Sequence, residues 1–183
     1  LLQPQLYLDT NQKYKRFYLD KINKLKKIDL FLAISDSTGL ELEKNLDIKK
    51  EKIINISSAC DKKIFSGSNC KKVKLLSCFD KIGDFILYAG AADPRKNLKN
   101  LIKAYSSLSP ECQAKYKLVF AGKFTSAENS ILKSYIKSHN ISDKNIIFVG
   151  YISDEELAYL YKKCTLFVMP SVHEGFGLPV LEA

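Results

Sequence analysis

Two glutamates, Glu174 and Glu182, stand eight residues apart around a glycine turn in the stretch TLFVMPSVHEGFGLPVLE, which begins at Thr165. An ionised carboxylate only accepts hydrogen bonds, and a sugar hydroxyl can donate one, so the pair suits a polyhydroxylated ligand. As a general acid and base the two are less convincing. Gly175 and Gly177 let backbone approach a ligand closely. Pro179 is well placed as a first helical residue. The unit therefore reads as strand, glycine loop and helix start, which presents unpaired N–H groups to an anion. A second group lies far upstream. After Gly90 the chain runs AADPRKN into an apolar-periodic stretch, which puts Arg95 and Lys96 just before or at a helix N-terminus. A guanidinium, an ammonium and free N–H groups there make a seat for a diphosphate. Two basic residues in a loop would by themselves be merely solvated. Their place on the same sheet edge as the glutamate loop favours the functional reading.

No Asp-x-Asp occurs, and neither His139 nor His173 has a partner at metal-ligand spacing, so no metal is expected. A departing diphosphate would then be stabilised by positive side chains and a helix end. His139 falls on a predicted surface helix. His173 adjoins Glu174, and ligand contact and plain exposure are both open for it.

The elements that must hold these groups follow from apolar periodicity. A helix is predicted over Asn11–Lys27, a strand over Leu30–Ile34, an N-cap at Ser35 or Asp36, and a helix over Ser37–Leu46 that Gly39 weakens. A β-type run covers Lys52–Ile56. Residues 57–69 read as a linker, and Cys70–Phe79 suits a short helix as well as a strand. From Asp84 onward four buried-type strands alternate with three helices: Phe85–Ala89, Tyr116–Ala121, Asn145–Val149 and the run from Leu166 to Met169. The helices carry Leu98 to Leu108, Ile131 to Ile136, and Leu157 to Tyr161, the last behind a Ser153/Glu156 capping box. This alternation predicts right-handed βαβ units and a parallel sheet. Ligands bind beyond the carboxyl ends of such strands. Gly90, Gly122, Gly150 and the 174–177 loop are thus expected along one crevice.

The 183 residues, 46% apolar, suffice for one medium domain or parts of two. The chain has no initiator Met and no signal-peptide pattern, and it stops as its last predicted helix starts. The expectation is a piece of a longer protein. Five scattered cysteines without a C-x-x-C pair read as reduced thiols of a cytosolic protein. No apolar run reaches the roughly 18 residues of a membrane span. The net charge is +9, and seven Lys/Arg against one acid fall between Lys13 and Lys27, interleaved with apolar residues at helical spacing. Such a helix can lie on an anionic membrane surface or be an ordinary solvated face packed on a sheet. No recognition motif accompanies the charge, so nucleic acid is not an expected partner.

At these residues the chain resembles glycosyltransferase family 4, of the GT-B fold. FLAISDST resembles the last strand–helix unit of that family's N-terminal domain, and YAGAADPRKNLKNLIKAY the start of its C-terminal domain. NIIFVGYISDEELAYLYKKC resembles the stretch that holds the nucleotide base, and PSVHEGFGLPVLEA the Glu-x7-Glu signature. The resemblance implies an α/β protein with parts of two Rossmann-like parallel-sheet domains. Residues 1–65 would end the acceptor-side domain, and 66–183 would begin the nucleotide-sugar-binding domain. It implies retaining, metal-independent transfer of a sugar from a GDP- or UDP-linked donor to a glycan or lipid-linked acceptor, with no cofactor. Glu174 would contact sugar hydroxyls near the reacting carbon and Glu182 the ribose. Arg95 and Lys96 would bind the diphosphate. Gly175, Phe176 and Gly177 would meet sugar and phosphate through backbone, and Tyr151 and Ile152 would border the base. Gly90, His173 and Leu178 complete the expected donor site. Many members carry a basic residue where this chain has Ala91, which leaves more of the phosphate charge to Arg95 and Lys96. The Pro-Arg-Lys-Asn run resembles bacterial mannosyltransferases of surface-polysaccharide assembly. The implied location is the cytoplasm, peripheral on the inner face of the plasma membrane. The alternatives are a GT-B epimerase or phosphorylase, and a nucleotide-sugar-binding module without catalysis.

Overall fold

The computed structural model describes residues 12–65 and 82–183. The ambiguous stretch Cys70–Phe79, and most of the expected linker's second half, lie outside the described residues. The chain divides into two compact units: residues 1–59 with Glu174–Gly177, and residues 60–173 with Leu178–Ala183. The division at 59/60 falls inside the expected 57–69 linker and before the 65/66 boundary that the resemblance implies. Lys62–Phe65, expected as linker, is a short helical turn (α3) that sets Phe65 beside Tyr161, ring centroids 6.0 Å apart.

In the first unit, helix α1 (Gln12–Leu25) precedes strand β1 (Phe31–Ala33), helix α2 (Asp36–Leu46) and strand β2 (Ile53–Asn55). β1 and β2 pair in parallel, Phe31 opposite Ile53 and Ala33 opposite Asn55. Ser35 caps α2 by accepting from the Thr38 N–H at 3.0 Å. Gly39 reads from sequence as a helix weakness. Its place explains it: a Cβ there would lie 3.3 Å from Ile53 Cγ2, so the missing side chain lets α2 sit close on the strands. Ile22, Phe31, Leu42, Leu46 and Ile48 form the core of this unit.

The second unit is a four-stranded parallel sheet in the order β5-β4-β3-β6. Its strands are β3 (Phe85–Ala89), β4 (Lys117–Ala121), β5 (Ile146–Gly150) and β6 (Leu166–Phe167). Helices α4 (Leu98–Ser106), α5 (Pro110–Lys115), α6 (Ser126–Ser138) and α7 (Asp154–Lys163) connect them, and α8 (Leu178–Glu182) follows β6. Helix α5 was not expected. Its signal is local: Ser109 caps it, accepting from the Cys112 N–H, and Pro110 fills the first position. The last strand is shorter than the expected Leu166–Met169, because its pairing with β3 covers only two residues, Ile86 opposite Leu166 and Leu87 opposite Phe167.

Alternation along the strands splits the core into two faces. Tyr88, Leu118 and Phe120 pack with Leu98, Ile102, Tyr105, Leu132 and Ile136 on one side. Phe85, Leu87, Val119 and Ala121 pack with Ile152, Leu160 and Tyr161 on the other. Tyr105 ties the first face to its loops: its hydroxyl lies 2.9 Å from the Tyr116 carbonyl and 3.0 Å from that of Gln113. Burial pushes its pKa up to about 12.

The glycines that end the strands continue the ladder. Gly90 N–H donates to the Ala121 carbonyl at 2.9 Å, and Gly122 N–H to that of Gly150 at 2.8 Å. Gly122 has φ +146°, and a Cβ on it would fall 2.0 Å from the Gly90 carbonyl oxygen. Backbone cannot swing aside as a side chain would. Gly122→Ala should therefore lower unfolding stability by about 2 kcal/mol or more. Urea denaturation reads this, and a change inside about 0.5 kcal/mol, the usual surface-substitution range, would contradict the close approach.

Candidate functional site

In the second unit the strand order reverses at β3: β4 and β5 lie to one side of it and β6 to the other. The loops leaving β3 and β6 therefore diverge, and the crevice between them is where open α/β sheets bind ligands. The β3 loop carries Gly90 and the Arg95–Lys96 pair. The β6 chain carries Pro170 to His173.

The β3 loop is fixed from within. Tyr88 Oη donates to the Ala91 carbonyl at 2.6 Å, so Ala91 sits in a tied turn. Pro94–Lys96 form a 3₁₀ turn capped by Asp93, which accepts from the Arg95 N–H at 2.8 Å. The same carboxylate oxygen lies 3.1 Å from Arg95 Nε, so one acid shapes the turn and orients the guanidinium. Asn97 closes the turn in the left-handed region, φ 58°, and α4 starts at the next residue. Arg95 and Lys96 thus precede a helix N-terminus, as expected from sequence.

Two hydrogen bonds join this loop to the β6 chain. Asn97 Nδ2 donates to the Pro170 carbonyl at 3.0 Å, and the Val172 N–H donates to the Arg95 carbonyl at 2.9 Å. Between them Ser171 Oγ is buried without a hydrogen-bond partner. A buried unpaired hydroxyl costs about 1–3 kcal/mol, and such costs gather at binding and switch sites. The latch sets His173 directly beyond the residue bonded to Arg95. Asn97, Asp93 and Ser171 were missed by the sequence reading. Asn97 alone had a usable signal, as an αL-tolerant residue directly before a helix.

The other site residues fall into three places. Tyr151 follows Gly150 at the end of β5, with Val149 left over between the pairs Phe120–Phe148 and Ala121–Gly150. That irregularity re-aims the chain, and Tyr151 is 81% exposed. Ile152 is buried in the core beside Leu160, so what it can offer a base is main chain. α7 begins behind the Ser153/Glu156 box, with Glu156 Oε2 accepting from the Ser153 N–H at 2.8 Å. Glu182, on α8 with Leu178, accepts from Tyr161 Oη at 3.2 Å. Burial, and next the Glu182 carboxylate, hold Tyr161 far above the ordinary tyrosine range. Its hydroxyl stays protonated and acts as a donor.

Glu174, Gly175, Phe176 and Gly177 group with the first unit. There the Gly175 carbonyl accepts from Ser35 Oγ, and from Thr38 Oγ1 at 3.1 Å. The hydroxyls at the start of α2 thus hold the middle of the Glu-x7-Glu loop.

Among the described residues, no three His, Cys, Asp or Glu side chains gather where a metal ion could be held, and Cys60, Cys112 and Cys164 are free thiols. A cavity of about 1090 Å³ opens beside α6, lined in part by Asn129, Lys133, Lys137 and Asn140. Its lining contains none of the candidate site residues.

A parallel sheet with a basic turn latched across its switch point, in a chain with a second parallel unit, has the architecture of GT-B glycosyltransferases. The chain belongs to the family described as glycosyl transferases group 1, whose model matches residues 79–183. Serotype-specific mannosyltransferase WbdA of Escherichia coli is 37% identical over 100% of this chain, which spans 23% of that protein. O-antigen chain mannosyltransferase B of Escherichia coli is 32% identical over 84% of this chain and 40% of its own length. The crystal structure of Anabaena HepE in complex with UDP and glucose superposes with a TM-score of 0.70 at 18% identity, covering 89% of this chain and 44% of that one.

The Asn97 latch is testable. Asn97→Ala loses the side-chain hydrogen bonds to Pro170 and Asn100 and leaves a non-glycine residue without a polar side chain at positive φ. Asn97→Gly loses only the amide. The alanine variant should be destabilised by about 2 kcal/mol and the glycine variant by about 1 kcal/mol. Equal, near-zero losses in paired denaturant titrations would show that the latch holds nothing.

Proposed function

We propose that the protein is a retaining, metal-independent glycosyltransferase of family 4 that moves a sugar, mannose, from a GDP- or UDP-linked donor to a glycan or lipid-linked acceptor. The observation that carries this reading is the Arg95–Lys96 turn latched to the Pro170–His173 chain at the switch point of a group 1 transferase domain. The names of the relatives support a mannosyl group and a surface-polysaccharide acceptor. They are transferase names, which favours transfer over epimerisation or phosphorolysis.

In this reading the bond from the anomeric carbon to the diphosphate oxygen breaks, and the acceptor hydroxyl forms the new bond on the same face. The electron pair leaves on the diphosphate, which takes the proton the acceptor hydroxyl gives up, and Arg95 and Lys96 stabilise the charge that develops there. Glu174 accepts from sugar hydroxyls near the reacting carbon, and Glu182 accepts from the ribose. Gly175, Phe176 and Gly177 offer backbone to sugar and phosphate. Tyr151 borders the base, with Gly90, Ile152, His173 and Leu178 completing the donor site. Residues 1–65 belong to the acceptor side and residues 66–183 to the donor side. No cofactor takes part.

Replacing Glu174 or Lys96 by alanine in the full-length protein should each lower turnover on the order of a hundredfold, the size of one lost transition-state contact. Transfer assays with GDP- and UDP-mannose read the outcome, and wild-type rates in both variants would end the proposal. Binding of the correct nucleotide also raises thermal stability, which identifies the base.

The same reading places the enzyme in the cytoplasm, against an anionic membrane. Among the described residues no helix is long and apolar enough to cross one. Support comes from α1, which carries Lys21 over the Phe17 ring at 4.4 Å, with Phe17 and Leu19 exposed beside its lysines. Each basic residue near such a surface contributes about 1 kcal/mol. Reversing Lys24, Lys26 and Lys27 to Glu should abolish sedimentation with phosphatidylserine vesicles; undiminished sedimentation would refute a membrane role for the helix.

A further inference from the structure

We propose that Tyr161 is a positioning residue for nucleotide recognition: by donating its hydroxyl to Glu182, it aims that carboxylate at the ribose hydroxyls of the donor. The inference rests on the reading of Glu182 as the ribose ligand and extends it to a residue that touches no part of the donor itself.

The argument begins with how firmly each partner is held. Tyr161 is 6% exposed and sits in the core of the second unit. Its ring lies 5.2 Å from Phe167, edge-on, and 6.0 Å from Phe65. Strand β6 and the α3 turn therefore fix the ring, and with it the hydroxyl. Glu182, on α8, is half-buried. A glutamate has three side-chain torsions to fix, and ordering such a chain on binding opposes affinity. The 3.2 Å bond from Tyr161 fixes the carboxylate in advance.

The stoichiometry also fits. A carboxylate offers about four lone-pair directions. Tyr161 occupies one, on Oε2. Enough remain for two vicinal hydroxyls. One helix then serves both parts of the nucleoside: α7 starts directly after Tyr151 and Ile152, the residues that border the base, and carries Tyr161 near its other end.

The test uses the full-length protein and calorimetric binding of GDP, UDP and the 2′,3′-dideoxy form of each. Tyr161→Phe keeps the ring and removes the hydroxyl. It should weaken binding of the preferred ribonucleotide about fivefold, the size of one hydrogen bond, and leave its dideoxy form unchanged. The donor KM should rise by a similar factor with kcat little altered, as for an interaction equal in ground and transition states. Glu182→Gln should remove most of the preference for ribose over dideoxyribose. Equal weakening of both nucleotides by Tyr161→Phe would mark a structural role only and overturn the proposal. So would full retention of ribose preference in that variant, which would leave Glu182 as the ribose ligand untouched. A wild-type protein that binds both forms equally would overturn the role of Glu182 as well.

Discussion

β3 is paired in parallel on both sides, to β4 over five residues and to β6 over two. Parallel neighbours cannot be joined by a tight turn, so each connection must cross a face of the sheet. Because the handedness of such crossovers is fixed, building outward in both directions from β3 sends the helices to opposite faces. The clusters around Ile102 and around Leu160 record that split. The consequence is chemical. At the carboxyl end of β3 the loop before α4 and the chain after β6 leave in different directions, and main chain around them needs partners. Asn97, Val172 and Asp93 supply these within the protein. What remains at the crevice is a cationic turn and a buried Ser171 hydroxyl without a partner.

That constraint explains why so many small residues cluster at the strand ends. Gly90 and Gly122 are in backbone contact, and the ladder runs through them to Gly150. A side chain on Gly122 would strike the Gly90 backbone. In the first unit the same economy appears at Gly39, where α2 lies close to Ile53, and at the hydroxyls of Ser35 and Thr38, which meet the Gly175 carbonyl. A cap that satisfies its own helix and also holds the signature loop serves local folding and site geometry together.

Much of this was readable from residue order. Strands β3, β4 and β5 stood out because they are buried on both faces, so their apolar runs are unbroken. The Ser153/Glu156 box announced α7 for the same kind of local reason. α5 was hidden because its six residues carry no apolar period, and β6 was overestimated because the apolar run continues through Met169, past the last bond to β3, from the Val168 N–H to the Leu87 carbonyl. The candidate site could be proposed from residue type at fixed spacing: Glu174, Glu182, Arg95 and Lys96. It was illegible where it depends on contacts distant in sequence. Nothing in the order of residues says that Asn97 reaches Pro170, or that Tyr161 reaches Glu182, since both bonds exist only once the sheet is built. Tyr161 read as an ordinary core position of an amphipathic helix, which it also is.

The electrostatics of the basic turn refine the roles of its two cations. Asp93 lies 3.1 Å from Arg95 Nε, so seen from a few ångströms away the pair is nearly neutral. In the proposed role a guanidinium held this way would bring direction to a diphosphate more than long-range attraction, since a planar donor held on one edge loses little freedom when an anion meets another. An ammonium on a four-carbon stem would bring point charge rather than fixed direction. The proposed roles therefore divide by chemistry, with Arg95 bearing mainly on donor binding and Lys96 on the charge that develops as the bond breaks.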